Sequence, residues 1–123
     1  MAALARDITR GGVSAGTAQG INGAIATGLS AAGSIITDAT DLNASVNVVS
    51  TVSAGQGVQL PSMMIGDAVE VYNATTTALK VYPDQSTVAI NQLAVGAAVT
   101  LGQYQGAIFR KVSSTQVWAN LSA

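Results

Sequence analysis

The side chains in this 123-residue chain that could do acid–base or nucleophilic chemistry are few. Cys and His are both absent. That removes the Ser–His and Cys–His nucleophile–base pairs and the usual zinc ligand sets. What remains is two lysines, Lys80 and Lys111, and six carboxylates, Asp7, Asp38, Asp41, Asp67, Glu70 and Asp84. A serine activated by a neutral lysine would need Lys80 or Lys111 as its base. Lys80 has a simpler role, as partner of Glu70 across a hairpin. Asp38 and Asp41 are close enough in sequence to suggest weak calcium binding, but a solvated loop explains them better. Asp67 follows Gly66, where Asp is a routine turn residue. No catalytic residue, metal site or cofactor is expected, and the chain reads as a non-enzyme.

Gly55-Gln56-Gly57 lacks the third glycine and the strand–helix context of a phosphate cradle, and no GK[ST] occurs. Asn43-Ala44-Ser45, Asn73-Ala74-Thr75 and Asn120-Leu121-Ser122 fit the glycosylation triplet. Such triplets arise by chance in a chain rich in Asn, Ser and Thr. Four aromatics, Tyr72, Tyr82, Tyr104 and Trp118, are candidates for a subunit interface or for stacking on sugars. Tyr and Trp are enriched at interface cores, which favours the interface or the protein core over a ligand.

Composition narrows the partners. Charged residues are 9% of the chain, against about 25% in a typical soluble domain. Hydrophobic residues are 49%, so the low charge does not signal disorder throughout. The formal net charge is −1, which leaves nucleic-acid binding without its main driving force. The start, MAALARDITRGG, does not read as a secretory signal. Gly11 to Thr37 carries no charge, yet seven glycines and many polar residues interrupt it, so a membrane span is not expected.

These features set demands on the elements that would carry them. Residues 1–33 are rich in Gly, Ala and Ser, and read as an extended or partly helical N-terminal arm. Ile21, Ile25 and Leu29 recur at a four-residue spacing and are the candidate anchors for a capsid or sister subunit. For residues 20–33 the alternative is a first strand pair of the same domain. From Ser34 onward apolar and polar residues alternate with the period of a strand. Val46, Val48, Val58, Leu60, Val69, Val71, Leu79, Val81, Val88, Ile90, Val99 and Leu101 carry the pattern. Turn residues punctuate it at Ala54-Gly55-Gln56-Gly57, Gly66-Asp67 and Pro83-Asp84. Residues 68–82 read as a hairpin with Glu70 opposite Lys80, Val71 opposite Leu79 and Val69 opposite Val81. Ala107, Phe109 and Lys111 alternate with Ile108, Arg110 and Val112, and a turn at Ser113-Ser114-Thr115 would set Arg110 opposite Trp118. About seven short antiparallel strands at intervals of about ten residues predict a small β-sandwich or barrel over residues 34–123.

Three stretches carry a resemblance: VNVVSTVSAGQGVQLP, GDAVEVYNATTTALKVYP, and the terminal FRKVSSTQVWANLSA. Their order resembles a β-rich module of tailed-bacteriophage virion proteins, found in capsid decoration (cement) proteins, head fibres and tail fibres. Ala74-Thr75-Thr76-Thr77 departs from the Gly or Asn-Gly expected in the loop of that module. The resemblance covers residues 34–123 and implies a structural protein of the virion surface, commonly a homotrimer. It implies a capsid decoration protein bound to the major capsid protein of the same virus. The alternative is a tail-fibre or receptor-binding module that contacts host glycan.

Overall fold

A computed structural model describes residues 24–122. Among them are ten β-strands. In chain order these are β1 (Ile25–Ser30), β2 (Thr40–Asp41), β3 (Val46–Thr51), β4 (Gly57–Gln59), β5 (Ala68–Asn73), β6 (Leu79–Tyr82), β7 (Ala89–Ile90), β8 (Val99–Leu101), β9 (Gly106–Ser113) and β10 (Gln116–Leu121). The chain does not fold into a sandwich or barrel of antiparallel hairpins. It winds into a β-solenoid of about four turns, with mostly parallel stacked coils.

Each early coil gives one strand to each of two sheets. One sheet has the order β1-β3-β5-β9-β10-β7 and the other β2-β4-β6-β8. The pairs β1–β3, β3–β5, β2–β4 and β4–β6 are all parallel. Val46 pairs with Glu70 and Val58 with Val81, so a coil advances by 24 or 23 residues (46 to 70, 58 to 81). The ten-residue rhythm of the sequence is therefore half a coil. Beyond β6 the path reverses, and β8 and β9 run antiparallel to β6 and β5. β10 closes a hairpin on β9 and lies parallel to β7.

The predicted hairpin over residues 68–82 does not form. β5 lies between β3 and β9, and β6 between β4 and β8. Glu70 pairs with Val46 and Ile108, whereas Lys80 pairs with Gly57 and Thr100. Val69, Val71, Leu79 and Val81 nevertheless all point inward, as expected. Period-two alternation groups the aliphatic side chains on one face, and two facing sheets bury that face as well as a hairpin does. The turn that sends the chain from one sheet to the other is organised by Asn73, which is 2% exposed. Its Nδ2 donates to the carbonyls of Thr77 (2.8 Å), Gly102 (3.0 Å) and Leu101 (3.2 Å). Its Oδ1 accepts from the Thr75 hydroxyl at 2.7 Å and from the Thr75 N–H at 3.1 Å. Asparagine buried at a corner thus replaces the backbone ladder that the turn interrupts.

Phe109, Val49, Val71 and Val117 from one sheet meet Val58, Leu79, Val81 and Leu101 from the other in a single core. Each of these is fully buried and apolar, which is the main driving force for closing the coils. β1 is part of this body: Ile25 and Ala26 pair with Val46 and Asn47. The segment read as an arm is thus extended, not helical, over Ile25–Ser30. Leu29 packs against the core while Ile25 stays 67% exposed, so the two do not share a helical face. Ile21 lies outside the described residues.

Candidate interaction surface

The broad outer face of the larger sheet is built by alternation. In β9, Ala107, Phe109 and Lys111 point inward and Ile108, Arg110 and Val112 outward. In β10, Trp118 stands outward opposite Arg110, as expected, with Asn120 opposite Ile108; the turn itself is Ser114-Thr115, with Gln116 on Ser113, and a register shift before Val117 restores the expected pairing. β5 adds Glu70 and Tyr72, next to Ile108 and Gly106 respectively. β3 adds the half-buried Val46 and Val48, paired with Glu70 and Tyr72. The result is a sheet face on which apolar side chains outnumber polar ones on the solvent side. Ile108, Val112 and Trp118 each stay 44–45% exposed. A solvated sheet face ordinarily carries polar residues.

Tyr72 is held in place on this face from both ends. Its ring lies across β9, where a Cβ on Gly106 would come within 2.3 Å of it, so only glycine fits beneath. Its hydroxyl donates to Glu70. That hydrogen bond, then desolvation and then the carboxylate's charge, raises the phenol above its ordinary pKa. Arg110 Nη1 donates to the Gly66 carbonyl at 2.7 Å, which steadies the guanidinium at the rim beside Trp118. A shallow groove runs between β9 and β10, lined by Ile108, Arg110, Val112 and Trp118.

The four aromatics do not form one set. Tyr72 and Trp118 share this face. Tyr82 is 6% exposed and its hydroxyl donates to the Ser34 carbonyl at 2.8 Å, inside the molecule. Tyr104 is 66% exposed in the turn before β9, with φ of 54° and its N–H on the Thr75 carbonyl. Ile108 and Val112 were visible in the sequence as one half of an alternating strand. Their importance was not, because alternation does not say which face meets solvent.

Lys111 follows the inward set. Its Nζ lies 2.8 Å from Asp84 Oδ2, with side chains 7% and 1% exposed. Asp84 Oδ2 also accepts the Met63 N–H at 3.2 Å, whereas its Oδ1 has no partner. This buried pair ties the loop after β6 to β9, and hence one sheet to the other. Among the described hydrogen bonds, none joins Lys80 or Lys111 to a serine hydroxyl. Among the described residues no group of three or more acidic, His or Cys side chains is placed to hold a metal ion. Of the three glycosylation triplets, the Asn73 amide is the buried corner knot and is out of reach of a modifying enzyme. Comparison with protein-family models, with curated proteins and with solved structures gives no match.

Proposed function

We propose that this chain is a structural virion protein, a capsid decoration (cement) protein that binds the phage head as a homotrimer and braces neighbouring copies of the major capsid protein. The observation that carries the reading is the apolar outer face of the larger sheet. A rigid body of stacked coils that keeps Ile108, Val112 and Trp118 at its surface suits adhesion better than isolated life in solvent. The sequence resemblance over residues 34–123 points the same way. The mechanism is additive: many copies each contribute a modest contact, and the summed contacts resist rupture of the shell. The glycan-binding alternative is less well supported, since Tyr82 is buried and Tyr104 stands apart from Tyr72 and Trp118.

The test is to count copies on virions and to add purified protein to capsids that lack it. Saturable binding at hundreds of sites per head, with capsids that survive more heating, upholds the reading. A handful of copies per particle, located on the tail, overturns it in favour of a fibre.

A further inference from the structure

We infer that the outer face of the larger sheet is a homotypic interface, occupied by a second copy of this same chain. The inference does not rest on the homotrimer of the preceding reading, since a face that meets itself closes as a two-fold dimer; the surface is argued from its chemistry. Val48, Tyr72, Ile108, Val112 and Trp118 form its apolar field. Within that field stand one carboxylate, Glu70 on β5, and one guanidinium, Arg110 on β9. They are offset diagonally, Glu70 level with Ile108 and Arg110 level with Ala68. The only ion pair between described residues is elsewhere, at Lys111 and Asp84.

A face with one charge of each sign in an apolar field is self-complementary. Laid against a copy of itself, it can set Glu70 of one chain on Arg110 of the next, while Ile108 and Trp118 are withdrawn from water. An unrelated acidic or basic partner would satisfy one of these charges and repel the other. Glu70 and Arg110 each retain hydrogen-bonding capacity. The carboxylate accepts from the Tyr72 hydroxyl and keeps further lone pairs, and the guanidinium uses one N–H on Gly66. Both are steadied by those contacts and lose less freedom on association. The flat outer surface of a sheet also packs naturally on another, at the roughly 10 Å spacing of stacked sheets.

The experiment is sedimentation equilibrium of the full chain from low to high micromolar concentration. Wild type should self-associate. Ile108→Asp, at the centre of the field, should weaken association by about a hundredfold, the size expected of an interface hot spot. Glu70→Arg and Arg110→Glu should each fail to self-associate, being doubly positive and doubly negative on this face. Mixed in equal amounts, the two variants should associate with each other. Circular dichroism of each variant establishes that the fold is kept, and the mixture reports association even where one variant is weakened.

A wild type that stays monomeric overturns the inference, whether the face then belongs to the capsid or to residues 1–23. So does association that Ile108→Asp leaves unchanged, or a mixture that fails to associate. A dimer that obeys all three variants upholds the face and overturns the homotrimer proposed above.

Discussion

Replacing Lys111 by Met keeps the aliphatic stem in its place between the sheets and removes the ammonium. Asp84 is then left with a carboxylate whose side chain is 1% exposed, whose Oδ2 retains the Met63 N–H alone, and whose Oδ1 has no partner. Breaking a buried pair in this way costs about 3–5 kcal/mol, because the surviving charge is neither solvated nor compensated. For a body of this size each kcal/mol moves Tm by about 4–8 °C, so Lys111→Met should melt at least about 12 °C below wild type. In urea at pH 7, followed by far-ultraviolet circular dichroism, the midpoint should fall by at least about 1 M. The second half of the test is Lys111→Met combined with Asp84→Asn. The amide is neutral, and its oxygen still accepts from Met63. The double variant should therefore regain most of the loss, with a coupling of about 2 kcal/mol or more between the sites. If Lys111→Met costs under about 1 kcal/mol, as an exposed ion pair would, the brace between the sheets is not a buried one. Simple additivity of the two losses would refute the coupling.

Asn73→Ala removes a donor from three corner carbonyls, of which Gly102 keeps the Gln105 N–H and Thr77 the Thr75 hydroxyl, and leaves the Thr75 N–H without its acceptor; it should cost about 1–3 kcal/mol in urea unfolding. An exposed asparagine such as Asn120 should tolerate Ala within about 0.5 kcal/mol. Gly106→Ala drives a methyl into the Tyr72 ring and should destabilise the chain by about 1–3 kcal/mol; combining it with Tyr72→Ala should relieve most of that strain, measured by thermal melts. Alkaline titration followed by tyrosinate absorbance should show a phenol that ionises above the ordinary tyrosine value, and Tyr72→Phe should remove it. Because the folded-state value lies above the unfolded one, the stability linked to Tyr72 is complete below about pH 10 and is lost as pH rises through the folded value. A fall in stability over that range that persists in Tyr72→Phe would locate the effect elsewhere.

Alternation in the sequence determined which side chains share a face: Val69 with Val71, Leu79 with Val81 and Ala107 with Phe109, and each set is buried. The short connection likewise made the last hairpin legible, but its register shifts between Gln116 and Val117, and that shift, not the turn alone, puts Trp118 opposite Arg110. Low charge and the absence of His and Cys restricted the chemistry through composition alone. Tertiary structure alone decided the parallel strand partnerships. A parallel neighbour lies a full coil away, as Val46 lies from Glu70, and no local spacing records it. That is why an all-β chain read as hairpins is a solenoid. The same long-range placement decided the fate of chemically similar residues. Tyr82 lies inside and Tyr72 outside, and Lys111 enters the interior because Asp84, from a distant loop, meets it there. Alternation assigns a residue to one of two faces; only the stacking of coils determines which face is closed and what waits across it.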